Sequence, residues 1–153
     1  MGVFEHERLV KNCDVPRAMK VGPVSHTVLP SLLPQFISKI DLLQGDGGVG
    51  SVKLITVNPA VTGGEVKTIT QHTTVHDLAT STIAWEEPDP RFSKPVVHTI
   101  KFKAVGTDVQ LNWTLDYEPI DPATPPPEDI KMITIEVINA LCNYVEANPG
   151  WPA

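Results

Sequence analysis

One stretch constrains this chain more than any other: a single long amphipathic helix, placed last. Ile130, Ile133, Val137, Leu141 and Tyr144 recur at three- and four-residue steps over 127–147, which puts them on one face. Pro125, Pro126 and Pro127 lead into it, and Glu128 and Asp129 occupy the first turn. Proline is tolerated there, and acids suit the positive end of a helix. Asn148 and Pro149 close it. A helix of about 20 residues is roughly 30 Å long, the width of a small domain. Nearly everything from Ile37 to Tyr117 reads instead as short strands broken by Gly, Pro, Asp and Thr turns. An apolar stripe of that length has to be buried, and a curved antiparallel sheet gripping the helix is the simplest solution. Whether side chains fill the space between sheet and helix decides what the chain can do.

Taken in order, the segment 3–10 reads as a charged strand, suited to a sheet edge. Asp14 caps a short helix over 15–21, with Pro16 at its start and Gly22-Pro23 at its end. The segment 28–36 carries Pro30 and Pro34 and reads as a second helical turn broken at Pro34. Six strands follow, over 37–43, 51–57, 65–72, 78–86, 95–104 and 109–117, and the last two flank a Gly106-Thr107-Asp108 hairpin. The order is strand, two short helices, six strands and one long helix, an α+β architecture in a single domain over 1–153.

Composition removes several functions. Net charge is −6 and no Lys/Arg cluster exists, so a nucleic-acid footprint is not expected. No apolar run approaches the roughly 18 residues of a membrane span. The first eleven residues are charged rather than apolar, which argues against a secretory leader. Met1-Gly2 is followed by His6 where an acylation signal needs Ser or Thr. Cys13 and Cys142 are too few for a disulfide framework and are expected reduced, in keeping with cytoplasm. His72 and His76 are four apart at a strand end, with no third ligand, so neither a metal nor a cofactor is expected.

Gly45-x-Gly47-x-x-Gly50 matches the dinucleotide fingerprint letter for letter. Its context is wrong, because that loop must open a helix and here a strand follows. The phosphate-loop pattern also fails, since Lys53 does not directly follow the last glycine. Gly45, Gly47, Gly48 and Gly50 therefore read as a tight hairpin needing positive φ, with a backbone anion nest as the alternative.

Four motifs in order carry a resemblance over the whole chain: Met1-Gly2-Val3-Phe4, the 30–38 stretch, the glycine loop with Ser51-Val52-Lys53, and the 141–149 tail. On these the chain resembles the plant intracellular pathogenesis-related class ten family, the family of the major birch pollen allergen. The resemblance implies a helix-grip fold: seven antiparallel strands wrapped around the C-terminal helix, with two short helices in a V. It also implies a large apolar cavity for small molecules.

Alternation identifies the inward faces of two strands without that help. Over 96–104 it is Val96, His98, Ile100, Phe102 and Ala104, because Lys101 and Lys103 mark the wet face. Over 109–117 it is Val109, Leu111, Trp113, Leu115 and Tyr117. For 51–57 periodicity leaves both faces open, and the family register implies that Lys53, Ile55 and Val57 point in, with Lys53 at the rim. Neither face of 65–72 or 78–86 can be chosen. His98 reads either as a core histidine satisfied by one hydrogen bond or as a polar contact to a ligand. The expected ligand-binding set is His98, Lys53, Ile55, Val57, Ile100, Phe102, Leu111, Trp113, Tyr117, Ile130, Ile133 and Val137, with no catalytic residues.

The function this implies is binding, storage or transport of small amphipathic plant metabolites or phytohormones, of cytokinin, flavonoid, sterol or fatty-acid type, in a defence setting. The partner would be that ligand, bound by a monomer or weak dimer, with access past the short helices and the 58–64 and 87–95 loops. The alternatives are a specialised-metabolite enzyme, of isomerase or cyclase type, or a weak ribonuclease. Family members that condense amines with aldehydes use an inward lysine, a tyrosine and a helix acid. The matching positions hold Asn112, Val96 and Ile133 or Thr134, so that constellation is absent.

Overall fold

The computed structural model describes residues 2–153; Met1, the first residue of the opening motif, lies outside them. The elements are β1 (Gly2–Val10), α1 (Val15–Val24), a 3₁₀ turn (Ser25–Thr27), α2 (Leu29–Leu32), β2 (Ile37–Gln44), β3 (Val52–Val57), β4 (Lys67–Asp77), β5 (Thr82–Glu87), β6 (Val96–Val105), β7 (Asp108–Tyr117) and α3 (Glu128–Ala147). They form one seven-stranded sheet in the order β1-β7-β6-β5-β4-β3-β2, and every neighbouring pair is antiparallel. The charged first strand is an edge, as its composition requires.

Bulges give the sheet its curvature. Register shifts fall between β2 and β3 at Ile37/Lys39 and Leu42/Gln44, and between β4 and β5 at Thr73/Val75. Each adds a residue to one strand and bends it. The bulge in β4 also reverses which side chains point inward. Before it Ile69, Gln71 and Thr73 face the helix, and after it His76 does. A strand with a mid-course reversal has no single alternating face, which is why periodicity cannot read it. The same reversal leaves His72 exposed and turns His76 inward, so the two do not share a face.

Two strands start later than expected. The 78–81 segment is a turn, because the Asp77 carboxylate accepts from Ala79 N at 3.0 Å and Thr80 Oγ1 at 2.8 Å, and Ser81 adopts φ 53°. β4 accordingly runs on to Asp77, and β5 opens at Thr82.

Helix α1 begins where expected, with the Asp14 side chain accepting from Arg17 N at 2.9 Å. It does not stop at Gly22-Pro23 but runs to Val24, with Pro23 inside it. Proline cannot donate to the carbonyl four residues back, here that of Met19. His76 Nε2 supplies the bond instead, donating to Met19 O at 2.7 Å. A carbonyl only accepts, so this nitrogen carries the proton. The proline break is thus repaired from the sheet.

The glycine loop is a tight hairpin, with φ of 81° at Gly45, 106° at Gly47 and 84° at Gly50. A Cβ on Gly47 would collide with the Pro23 carbonyl, so the loop sits directly against the end of α1. Its amides are spent internally: Gly47 N donates to Ser51 Oγ at 2.7 Å and Gly48 N to Asp46 Oδ1 at 2.9 Å. That removes the anion nest.

Helix α3 lies on the concave side of the sheet. Its fully buried residues are Thr134, Ile138, Cys142 and Val145. The expected stripe is shifted by one position from these. Tyr144 lies off the interior and packs edge-on against Trp151, with centroids 4.9 Å apart. The last turn holds no basic residue of its own. Arg17 of α1 fills that role, donating to Val145 O and Asn148 O at 2.7 Å each and to Trp151 O at 2.8 Å. A guanidinium there satisfies open carbonyls and complements the negative helix end. On the other side Arg8 of β1 reaches Asn143 at 2.8 Å and Glu146 at 3.0 Å.

Candidate functional site

Sheet and helix meet closely over one half of the concave face and separate over the other. At the Gly2 end of β1 and the adjoining ends of β6 and β7 the space is filled. Trp113, Leu115, Val96 and Phe92 are buried in one cluster, with Phe4, Tyr117 and Ile130 packed against it. Over β3, β4 and β5 and the opposite ends of β6 and β7, capped by α1, the gap stays open as a cavity of about 550 Å³. That lies within the range of small-molecule sites.

Most of the expected lining is there. Lys53, Ile55 and Val57 line the cavity from β3, Ile100 and Phe102 from β6, Leu111 from β7, and Ile130, Ile133 and Val137 from α3. These α3 residues are only partly buried because their apolar faces border the hollow rather than neighbouring atoms. Gly47 touches the cavity, whereas Gly45, Gly48 and Gly50 do not.

Three expected residues lie elsewhere: His98, Trp113 and Tyr117 do not line the cavity. All three sit on the inner face, but in its filled half. Trp113 and His98 are both 0% exposed, and the indole Nε1 donates to His98 Nδ1 at 3.2 Å. Trp85 stacks on the His98 ring, with centroids 4.6 Å apart and planes 7° apart, and closes it off. His98 is therefore a core histidine held by one hydrogen bond at Nδ1, with Nε2 unpartnered, and it lies away from the cavity. Tyr117 packs against Phe4 and Phe92 with ring centroids 5.5 and 5.8 Å away.

The polar lining that alternation missed comes from the two unreadable strands. Gln71 of β4 and Trp85 and Glu87 of β5 line the cavity together. Glu87 Oε2 accepts from Gln71 Nε2 at 2.8 Å and from Trp85 Nε1 at 3.1 Å. Its Oε1 lies 3.0 Å from His98 Nε2, but off the direction a hydrogen bond needs. Burial pushes the Glu87 carboxyl up. The adjacent His98 ring and the Gln71 and Trp85 donors more than offset it, so the group is held below the usual carboxylate range. Glu87 is 6% exposed, a nearly sealed carboxylate on the cavity wall.

Lys53 is deeper than a rim position. It is 5% exposed, and its Nζ donates to Gly22 O at 3.0 Å, with Ser25 Oγ 3.4 Å away. Burial lowers its pKa to about 8. Lys53 and His76 thus both reach from the sheet to the carbonyl end of α1, where the helix dipole favours donors and cations. Cys13 and Cys142 are free, buried, and raised by burial, Cys142 to about 12, so both remain protonated.

The mouth is marked by exposed lining residues: Val61 and Glu65 from the 58–66 loop, and Met132 of α3. Asp129 beside it pairs with Arg91 at 3.1 Å and Lys67 at 3.6 Å, linking α3 to the 88–95 loop and β4. Among the described residues no group of three or more His, Cys, Asp or Glu is placed to hold a metal, and no helix is long and apolar enough to cross a membrane.

This arrangement has relatives. Pathogenesis-related protein 2 of Petroselinum crispum is 31% identical over 134 residues, 80% of each chain. The chain belongs to the pathogenesis-related class ten family. Ribonuclease 2 of Panax ginseng is 31% identical over 130 residues, covering 80% of this chain and 82% of its own. The "Probable intracellular pathogenesis-related protein T1" of Catharanthus roseus is 25% identical over 134 residues, 82% of each chain. The crystal structure of Ara h 8.0201 superposes with a TM-score of 0.78 at 21% identity, over 96% of this chain and 100% of that one, which establishes the shared fold. No family model matches.

Proposed function

We propose that this class ten protein binds a small, largely apolar metabolite in the cavity between the sheet and α3. The observation that carries this is the 550 Å³ hollow itself, walled by aliphatic side chains with a few placed polar groups. An unfilled cavity forfeits packing contacts, and a guest restores them by mass action. The apolar body is desolvated against Ile55, Ile100, Phe102 and Ile133, and its polar end meets the Gln71–Glu87 pair or Lys53. Access runs past Val61, Glu65 and Met132. The setting is intracellular, supported by the Catharanthus relative and the unpaired cysteines, and the ligand classes are those of amphipathic plant metabolites and hormones.

A ribonuclease reading draws on the names of the ginseng relatives. Against it stand a net charge of −6 and a His98 that is 0% exposed. The test is titration with N-phenyl-1-naphthylamine, a neutral apolar fluorophore. Saturable enhancement is expected in the native protein and is expected to disappear in Ile133→Trp, which fills the hollow. No enhancement, or enhancement indifferent to that substitution, refutes the cavity reading. Mass spectrometry of the native protein then identifies the guest.

A further inference from the structure

The cavity wall holds a buried carboxyl whose second oxygen has no aligned donor. Glu87 is 6% exposed, and its two hydrogen-bond donors, Gln71 and Trp85, are neutral and both serve Oε2. The third neighbour is His98. An indole N–H only donates, so His98 Nδ1, on which Trp113 Nε1 bonds at 3.2 Å, has to be the unprotonated nitrogen. The ring proton then sits on Nε2, facing Glu87 Oε1 at 3.0 Å without the alignment of a hydrogen bond. Oε1 is left without an aligned donor.

The other charges of the cavity do not neutralise it. Lys53 lies in the same cross-strand row, Lys53↔Gln71 across β3–β4, with Glu87 bonded to Gln71 from β5. Two strand spacings separate Lys53 from Glu87, roughly 10 Å, and the lysine ammonium is turned to Gly22 O. Lys67 is at the rim and paired with Asp129. His76 is committed to Met19 O. An isolated carboxylate in apolar surroundings is strongly disfavoured unless something cationic or donating completes it.

We propose that Glu87 is the recognition site for a protonated amine, so that the guest is a cationic amphiphile whose ammonium donates to Oε1 while its apolar body fills the hollow. Trp85, which borders the same wall, adds an aromatic surface of the kind that attracts ammonium groups. Coulomb attraction at hydrogen-bonding distance outweighs the repulsion from Lys53 roughly 10 Å away, since the interaction falls with distance. This inference rests on the cavity reading above, and the test separates the two.

The probes are tryptamine and tryptophol, which share an indole-ethyl body and differ in carrying an ammonium or a hydroxyl. Calorimetric titration of the native protein at pH 7 is expected to give tryptamine roughly 10- to 100-fold tighter than tryptophol, the worth of a buried hydrogen bond to a charged group. Glu87→Gln keeps the shape and removes the charge, and is expected to bring the two affinities together. Equal affinities in the native protein, or a preference for tryptophol, overturns the proposal without recourse to the variant. A preference that survives in folded Glu87→Gln also overturns it. If neither indole binds while N-phenyl-1-naphthylamine does, the amine site fails and the cavity stands. If none of the three binds, both fail.

Discussion

Lys53 supplies the sharpest physical test of the hollow, because it places a charge inside it. Burial takes its pKa from 10.5 to about 8 in the folded chain. At 1.36 kcal/mol per unit, confining the charged form costs about 3 kcal/mol relative to the unfolded chain. Below pH 8 both states hold the proton and the cost is present in full. Between pH 8 and 10.5 the unfolded chain still binds a proton that the folded chain has released, so stability rises with pH. The rise amounts to about 1 kcal/mol between pH 7 and 9. Above pH 9 the buried thiols oppose it. Cys142, raised to about 12, keeps its proton when the unfolded thiol has lost it, and stability then falls with pH. The assay is urea unfolding of the native protein and Lys53→Met at pH 7, 8 and 9. The expected result is a stability difference, native minus variant, that moves in favour of the native protein by about 1 kcal/mol across that range. The thiols are common to both chains and cancel. A difference that stays constant from pH 7 to 9 would show that water reaches the ammonium, and the argument for a dry cavity wall would collapse.

Three further perturbations probe the frame around the cavity. Arg17→Met removes the donors to Val145 O, Asn148 O and Trp151 O, and thermal or urea unfolding should register a loss of about 2–4 kcal/mol, from charged hydrogen bonds and the helix-end charge together; a loss below about 0.5 kcal/mol, typical of surface changes, contradicts the capping role. Gly47→Ala has to take φ 106° and meet the Pro23 carbonyl, so about 2–4 kcal/mol is expected, whereas Gly63→Ala, at φ 69° with open space around it, should lose less in the same measurement. Trp113→Phe leaves His98 Nδ1 without its donor in a fully buried place, and should lower stability by about 1–3 kcal/mol beyond any packing loss; proton NMR of the imidazole should show a changed tautomer, and an unchanged spectrum would refute the assignment of the ring proton to Nε2.

The aliphatic walls of β6 and β7 were legible because those strands keep one period throughout, whereas the inward face of β3 followed only from the family register. Alternation with flanking lysines is enough to place Ile100, Phe102 and Leu111. The cavity's polar wall was not legible, for two reasons. The bulge at Thr73/Val75 switches the inward parity of β4, and no local signal announces it. Glu87 sits beside Pro88 and Pro90, where a charged residue reads as loop. Its burial follows only from donors that β4 and β6 bring to it.

His98 shows the same divide from the other side. Alternation correctly turns it inward, yet inward on a curved sheet means either packed core or open hollow, and the helix decides which. Around Phe92, Val96, Trp113, Leu115 and Tyr117 the inward residues meet side chains; around Ile55, Gln71, Ile100, Phe102 and Leu111 they meet space. Periods of two and of three to four residues, and the turn chemistry between them, determined the elements, their order and the gripping of a helix by a sheet. These are interactions among near neighbours in the chain. How far the helix stands from each strand, which bulge flips which face, and which buried carboxyl oxygen lacks an aligned donor were decided by the tertiary structure. They depend on contacts between residues far apart in sequence, and no local period encodes those.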